Sequence, residues 1–264
     1  MRTIAIANQK GGVGKTTTAV NLSACLARAG RRTLLIDLDP QANATNHLGL
    51  DNPADEAHSS YALIAEKQPA IDKILHPVGP NFMLAPGHIA LAEIDIKLFS
   101  SINRETRLER ALERIEDDFD YAVIDCAPSL GISTVNALCA ATHVIITIQT
   151  NWFAYEALKR LMVIVNDVME ESNPSIITYA LCTIHRAGVN NNRLVLEKVQ
   201  SDFEQLALRT IIPHTATLAE ASVARQPIVD YAHGSKGHQA YQALAEEVIA
   251  RVEREQTNEA AQVS

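Results

Sequence analysis

Short apolar runs without polar alternation recur along the chain, separated by amphipathic stretches. Four stretches with helical periodicity predict helices at 16–29, 103–117, 154–171 and 237–255. Apolar strands of this kind indicate a sheet that is covered on both faces. The pattern therefore predicts an α/β protein with a mostly parallel, twisted sheet and helices on both faces. The seven predicted strands are TIAIAN (3–8), RTLLID (32–37), NFMLA (81–85), YAVID (121–125), HVIITIQ (143–149), SIITYALC (175–182) and LRTIIP (208–213).

No repeat, low-complexity tract or linker divides the 264 residues. We predict a single domain over 1–255, with a looser insertion at about 50–80 and a charged, disordered tail over 256–264. A composition of 47% hydrophobic and 20% charged residues is typical of a soluble globular protein. The early first strand predicts no secretory signal, and no apolar run approaches the roughly 20 residues of a membrane span. The scattered cysteines, predicted to be reduced in a cytoplasmic protein, are Cys25, Cys126, Cys139 and Cys182.

The segment NQKGGVGKTTT lies between the first predicted strand and the first predicted helix. Gly11, Gly12 and Gly14 allow a sharp turn that brings backbone N–H groups up to phosphate oxygens, and the helix N-terminus adds positive potential. Lys15 can reach the β- and γ-phosphates, and the Thr16 hydroxyl can ligate Mg²⁺. The segment therefore predicts a binding site for a nucleoside triphosphate.

Acidic residues follow or end two further predicted strands. RTLLID leads into Asp37-Leu38-Asp39, and YAVID ends in Asp125. In an open parallel sheet, ligands bind beyond the carboxyl ends of the strands, so these side chains should lie near the phosphates. We predict that Asp125 holds Mg²⁺ through water, that Asp39 orients an attacking water beside the metal, and that Asp37 supports their loop.

Four segments resemble the deviant-Walker-A ATPases of the ParA/Soj partition family: KGGVGKTTT, LLIDLDPQANAT, VIDCAPSL and TIIPHTATLAEASVARQPI. The resemblance covers about residues 2–250, with the motifs in the family's order. The first motif is shared with the wider ParA/MinD superfamily, whereas the four together are more specific. The resemblance implies a P-loop NTPase fold that uses ATP and Mg²⁺ and hydrolyses the ATP.

The resemblance also assigns a role to a second lysine in the loop. Gln9 stands where an ordinary phosphate loop has glycine, and Lys10 directly precedes the glycine pair. In the family this extra lysine crosses to the ATP of a second subunit, which implies a homodimer that forms on ATP binding. Lys10 would then be catalytic together with Lys15 and Asp39.

Two further expectations about the nucleotide follow from the same resemblance. Val13 and Thr17 complete the loop that surrounds ATP. Pro213, in the segment that follows the last predicted strand, lies near the adenine.

Family dimers bind double-stranded DNA without sequence preference through basic residues of the C-terminal half. The residues that this resemblance selects are Arg186, Arg193, Arg225 and Lys236. A net charge of -8 argues against a uniformly basic nucleic-acid binder, so any contact with DNA needs a local patch. The resemblance further implies a nucleoid-associated location and a ParB-like centromere-binding partner that stimulates hydrolysis.

The sequence departs from the common family wording at several positions. Ala42 replaces a glycine, which predicts a stiffer loop after Asp39, and Ala127 replaces a proline. His214 replaces an arginine, and DYAHGSKG stands in place of a more basic stretch. The last two changes remove positive charge, so they should weaken DNA binding more than ATP binding.

Three alternatives place the chain in other functional classes. A MinD-like membrane ATPase would need a basic amphipathic C-terminus, whereas ALAEEVIARVEREQTNEAAQVS carries more acid than base, so we predict no membrane contact. An iron protein of the nitrogenase type would need cluster cysteines, and Cys126 and Cys139 lack the glycine-rich setting. A ParA-like ATPase that positions a protein assembly shares all the motifs and stays open.

Overall fold

An eight-stranded sheet forms the centre of the molecule in the computed structural model, which describes residues 1–51, 53 and 55–262, without the side chains at 156, 157, 159, 160 and 255–262. Its strands are β1 (Arg2–Ala7), β2 (Thr33–Asp37), β3 (His76–Gly79), β4 (Phe82–Ala85), β5 (Tyr121–Asp125), β6 (His143–Gln149), β7 (Ile177–His185) and β8 (Ala207–Pro213). They lie in the order β3-β4-β2-β5-β1-β6-β7-β8. The neighbouring strands are parallel, except that β3 is antiparallel to β4.

Helices connect the strands and cover both faces of the sheet. They are α1 (Lys15–Arg28), α2 (Asn43–His47), α3 (Ser60–Ala65), α4 (Ile71–Ile74), α5 (Ile94–Lys97), α6 (Arg107–Glu113), α7 (Ile132–Ala140), α8 (Trp152–Glu171), α9 (Asn190–Phe203), α10 (Ala216–Val223), α11 (Ile228–Tyr231) and α12 (Lys236–Gln262). Short 3₁₀ turns lie at Glu56–His58, Ile89–Glu93, Arg104–Thr106 and Glu204–Leu206.

The apolar strands divide their side chains between two hydrophobic cores. In β5, Ala122 and Ile124 pack into one core with residues of α3 to α9, and Val123 packs into the other with residues of α1 and α10 to α12. Because successive side chains of a strand point to opposite faces, a strand buried on both sides reads as an unbroken apolar run. The predicted α/β class with a mostly parallel, doubly covered sheet is confirmed.

The structure contains all seven predicted strands and adds β3. That strand is short, contains Pro77 and Gly79, and is only half-buried, so it carries little of the apolar signal that marks the others. The predicted helix 103–117 is shorter in the structure. A 3₁₀ turn at Arg104–Thr106 precedes α6, and α6 ends at Glu113. Asp117 and Asp118 follow, and acidic residues near a helix C-terminus oppose the helix dipole.

The sequence predicts two irregular regions, an insertion at about 50–80 and a tail over 256–264. The predicted insertion at 50–80 holds α3, α4 and β3, and Leu63 and Ile64 of α3 are buried in the main core. The predicted tail, 256–264, lies outside the residues whose side chains are described, although the backbone of α12 continues to Gln262. A disordered tail therefore stays a prediction.

The topology brings the candidate residues to one edge of the sheet. The order reverses around β1, which lies between β5 and β6 although it comes first along the chain. Crossovers on opposite sides of such a strand leave a crevice beyond its carboxyl end. The loop that precedes α1 and the ends of β2 and β5 meet at this crevice.

Candidate functional site

The backbone conformation of two glycines determines the shape of the loop between β1 and α1. Gly12 and Gly14 have φ values of 73° and 88°, a region that side chains with a Cβ rarely adopt. Val13, between them, is fully buried, and its carbonyl oxygen accepts a hydrogen bond of 2.7 Å from Thr183 Oγ1 in β7. The loop therefore presents its amides at the start of a 14-residue helix, where an anion is stabilised.

Lys15 is the first residue of α1 and is only 7% exposed. Its Nζ donates a 3.2 Å hydrogen bond to the carbonyl oxygen of Lys10. Burial lowers the pKa of Lys15, while the nearby charges of Asp125, Cys126 and Asp39 act in the opposite direction. A partly desolvated ammonium group beside loop amides is suited to bind phosphate oxygens.

Asp125 ends β5 and is completely buried. Neither of its carboxylate oxygens forms a hydrogen bond with a described residue. Burial raises its pKa well above the ordinary value, and Asp37 adds to this effect. The Thr16 hydroxyl, which is close but outside hydrogen-bond geometry, and Lys15 favour the charged form. A buried carboxylate without a hydrogen-bond partner is what a cation would satisfy.

The loop after β2 is held by Asp37, which is fully buried. One of its oxygens accepts from Asp39 N at 3.2 Å, and the other accepts from the Thr45 backbone N and Oγ1 at 2.9 and 2.7 Å. Burial raises the pKa of Asp37 to about 6, against these hydrogen bonds. The predicted supporting role of Asp37 therefore agrees with its contacts.

Asp39 lies on the same loop, is 7% exposed, and accepts a 2.9 Å hydrogen bond from Gln41 N. It lines a cleft of about 510 Å³ together with Lys15, Thr16 and Thr17. The far wall of the cleft includes Asn46 and Arg225. The cleft therefore brings predicted site residues from three separate segments into one concave surface.

The residues of the cleft fit a magnesium nucleotide. Among the described residues, no group of three His, Cys, Asp or Glu side chains could hold a metal ion alone. Mg²⁺ is usually bound by one or two carboxylates together with phosphate oxygens and water, so such a cage is not required. Asp125, Asp39 and the Thr16 hydroxyl supply oxygen ligands of the kind that Mg²⁺ prefers.

Lys10 and Pro213, which were predicted to contact nucleotide, are not among the described residues that line the cleft. Lys10 is half-buried, its N donates to Asn8 Oδ1 at 2.9 Å, and its side chain pairs with no residue in the described part of the chain. Pro213 ends β8 at the same edge of the sheet, where it pairs with His185. The predicted contacts of both residues with ATP stay predictions.

The structure places the four residues predicted to bind DNA at different points of the fold. Arg186 follows β7 and contacts His214 Nε2 at 3.3 Å, while Arg193 on α9 pairs with Glu197 at 3.6 Å. Lys236 begins α12 and is exposed. Arg225 instead folds back onto the turn after α2 and lines the cleft.

Sequence reasoning missed the backbone conformation of Ala42. This residue has a φ of 50° and precedes α2, which explains why a glycine is favourable at its position. A Cβ on Gly87 would lie 3.0 Å from the Asp37 carboxyl carbon and 3.1 Å from Ala42. In the sequence, Gly87 is only an isolated glycine in a loop, and nothing there indicates this close approach to Asp37 and Ala42.

Fold and cleft define a P-loop NTPase, with a glycine-rich loop before α1 and an aspartate that ends a neighbouring strand. Residues 1–178 match the family model described as AAA domain. The chain is 43% identical over 248 residues to the sporulation initiation inhibitor protein Soj of Bacillus subtilis (strain 168), covering 94% of this chain and 98% of Soj. It is 38% identical to the chromosome partitioning protein ParA of Myxococcus xanthus (strain DK1622), covering 95% and 88% of the two chains. The chain therefore belongs to the Soj/ParA family, within the ParA/MinD superfamily.

A solved structure supports the same fold. Cobyrinic acid a,c-diamide synthase from Mycobacterium smegmatis, with bound ADP and magnesium, has a TM-score of 0.81 and 33% sequence identity over 96% of both chains. The same protein has been solved with an ATP analogue and magnesium. Separately, none of the described helices combines the length and hydropathy that a membrane span requires.

Proposed function

We propose that the protein is an ATP-dependent partition ATPase. It binds ATP with Mg²⁺, pairs into a dimer in that state, and hydrolyses the ATP. The observation that carries this proposal is a buried ammonium group, Lys15, that lines the cleft and lies close enough to the buried carboxylate of Asp125 for their charges to interact. That carboxylate lacks a hydrogen-bond partner within the described residues.

Different side chains at the cleft act on different parts of the phosphoryl-transfer reaction. Lys15 and the loop amides bind the β- and γ-phosphates and neutralise their charge. Thr16 and Asp39, with Asp125 acting through water, would hold Mg²⁺, which would supply positive charge against the phosphates. Asp39 orients the attacking water, and its own position is set by the hydrogen bond from its backbone N to Asp37.

Lys10 acts on the nucleotide of a second subunit. Its backbone is fixed by Asn8 and Lys15, while its side chain does not line the cleft of its own subunit. A cation supplied in trans stabilises the transferring phosphoryl group as an arginine finger does. The bound triphosphate then becomes part of the interface, so pairing depends on ATP.

The dimer binds double-stranded DNA without sequence preference and moves a chromosome or plasmid together with a ParB-like partner. This part of the proposal is supported by the relatives, one of which is a chromosome partitioning protein. Arg186, Arg193 and Lys236 supply the cationic contacts, and a nucleoid-associated protein is expected. Pairing two subunits doubles each contact, which raises both the affinity and its salt dependence.

Gel shifts at fixed low salt, with ATP, with ADP and without nucleotide, test the function as a whole. We expect DNA retention only with ATP and Mg²⁺, accompanied by slow release of phosphate. Equal retention in all three states would contradict a nucleotide-gated DNA site. Absence of phosphate release in the presence of bound ATP would contradict the assignment as an ATPase.

A further inference from the structure

The wall of the cleft that faces the glycine loop is formed by α2 and the turn that follows it. Asn46 and His47 line the cleft from this helix. A helix of five residues is unstable by itself, because helix nucleation is unfavourable and so short a helix forms too few hydrogen bonds to compensate. The position of this wall therefore depends on contacts with other parts of the chain.

Arg225 supplies three of these contacts. Its Nε donates to the carbonyl oxygen of Asn46 at 3.1 Å, and its Nη2 donates to the carbonyl oxygen of Leu50 at 2.9 Å. The same nitrogen pairs with Asp51 at 3.1 Å. The last carbonyl groups of a helix lack partners within the helix, and a guanidinium group is well suited to satisfy them.

The backbone around Arg225 makes one further contact with the same segment and approaches Gly49 closely. The carbonyl oxygen of Gln226 lies 3.1 Å from His47 Nε2, and His47 is only 3% exposed. A Cβ on Gly49 would lie 3.5 Å from the carbonyl oxygen of Arg225. Arg225 itself has a φ of 58°, a conformation that favours glycine. Arg225 thus occupies a position at which its own backbone conformation is unfavourable.

The same loop is tied to the helix that binds phosphate. Ile228 N donates to Asn21 Oδ1 at 2.6 Å, and Asn21 Nδ2 donates to the carbonyl oxygen of Thr17 at 2.8 Å. Asn21 is fully buried, and Thr17 lines the cleft. The segment from Arg225 to Ile228 therefore bridges the two sides of the cleft.

The loop that carries Asp39 has supports of its own. Asp37 accepts from Asp39 N, and Asp39 accepts from Gln41 N, with no contribution from Arg225. Thr45 also ties α2 to Asp37. Removal of the Arg225 side chain should therefore loosen only the end of this wall, at Asn46 and His47, without moving the group that orients water. Nucleotide affinity, rather than the rate of the chemical step, should then suffer.

The geometry points to Arg225 as a positioning residue for the bound nucleotide, and not as a DNA contact. Its guanidinium group holds the α2 wall of the cleft in place for a nucleoside triphosphate. This inference rests on the proposed function, since it deepens the assignment of the same cleft. It moves Arg225 from the predicted DNA surface to the ATP site.

The substitution Arg225→Gly tests this role, because glycine accepts the positive φ and removes only the side chain. We expect the variant to melt at or above the wild-type temperature. The Kd and KM for ATP with Mg²⁺ should rise about tenfold, which corresponds to about 1.4 kcal/mol, while kcat stays within about threefold. Arg225→Lys should not restore the affinity, because a single ammonium group cannot reproduce the planar fork that serves several acceptors.

Two matched controls separate the contacts. Asp51→Ala removes only an exposed ion-pair partner and should leave the Kd for ATP unchanged. Arg110→Ala removes another exposed arginine, on α6, that makes none of the contacts of Arg225, and it should also leave the Kd unchanged. An unaltered Kd in Arg225→Gly, with weaker DNA binding by its ATP dimer, would overturn the inference. Failure of the wild-type protein to bind ATP would instead contradict the proposed function.

Discussion

Buried charged side chains of different elements lie in and beside the nucleotide cleft, namely Lys15 and Asp125, whose surroundings shift their pKa values. The residues predicted to contact DNA are exposed and lie on separate elements, namely Arg186, Arg193 and Lys236. A buried charge without solvent is costly unless a ligand or partner compensates it, whereas an exposed arginine costs little. The buried charges of the cleft therefore favour binding of a ligand that compensates them, whereas the exposed cationic side chains are stable without one.

This contrast also separates what one subunit can do from what a pair can do. The described residues of one chain already bring the glycine loop, Lys15 and Asp39 together in one cleft. Arg193 is partly neutralised by Glu197, and the chain carries a net charge of -8. Each subunit therefore offers only a few cationic contacts, so we expect DNA affinity to depend on pairing, which doubles them.

The largest effect should follow from removing the lysine that begins α1. Lys15→Ala loses charge-assisted hydrogen bonds to two phosphates, each contributing about 1.5–3 kcal/mol, so ATP affinity should fall about 10³-fold. Dimerisation and DNA binding should disappear with it. Titration with a fluorescent ATP analogue measures the affinity, and Lys10→Ala is the matched control, expected to bind within about tenfold of wild type. Wild-type affinity in Lys15→Ala would sink the assignment of the cleft.

A second variant separates binding from chemistry within the cleft. Asp39→Ala should still bind ATP, because Lys15 and the loop amides remain, but turnover should fall about 10²-fold without a group to orient water. Since the triphosphate persists, the variant should accumulate as a dimer in size-exclusion chromatography with ATP and Mg²⁺. A variant that binds ATP normally yet stays monomeric would show that Asp39 shapes the interface instead.

A smaller effect is expected on the predicted DNA surface. The double substitution Arg186→Ala with Arg193→Ala should weaken DNA binding by the ATP-bound protein about tenfold at low salt. The slope of log K against log salt should become shallower by about 0.9 for each phosphate that the protein no longer neutralises. ATP affinity should not change, and Arg110→Ala, an exposed arginine on α6, serves as the control. Unchanged DNA affinity in the double variant would place the DNA surface elsewhere.

The smallest effect concerns pH and the wall of the cleft. Burial lowers the pKa of His47, while the hydrogen bond to the Gln226 carbonyl opposes this shift. Because the folded pKa lies below the unfolded one, the stabilisation is present above about pH 6.5 and is lost as the pH falls through the lowered value. His47→Gln keeps an N–H donor but cannot be protonated.

Thermal unfolding from pH 7.5 to pH 5 checks this prediction. The wild-type protein should lose more stability than His47→Gln over this range, because protonation of the imidazole is favoured in the unfolded protein. Parallel curves for the two proteins would mean that His47 is not held neutral by the fold.

The phosphate site was predictable from the sequence because its chemistry fixes residue types at fixed spacing. Only glycine adopts the φ of Gly12 and Gly14 at little cost, and phosphate needs a cation such as Lys15 at the start of the helix. The strands were predictable for a related reason, since a sheet buried on both faces demands continuous apolar runs. Local rules of this kind do not depend on the rest of the chain.

Arg225 and Ala42 show where such reasoning ends. Arg225 was predicted to contact DNA because it is basic and lies in the C-terminal half. The sequence does not reveal that its side chain donates to the carbonyl oxygen of Asn46, which lies 179 positions away along the chain. Ala42 adopts a positive φ that its residue type does not reveal. Both features depend on how distant segments pack, and no local pattern encodes them.

The central claim is that ATP bound in the cleft of one subunit is contacted by Lys10 of another. Sedimentation velocity of the wild-type protein and of Lys10→Ala, with ATP, ADP and no nucleotide, tests it most directly. We predict a dimer only for the wild type with ATP and Mg²⁺, and a monomeric Lys10→Ala that still binds ATP and turns it over about 10³-fold more slowly. A Lys10→Ala protein that pairs on ATP and hydrolyses it at the wild-type rate would contradict the account.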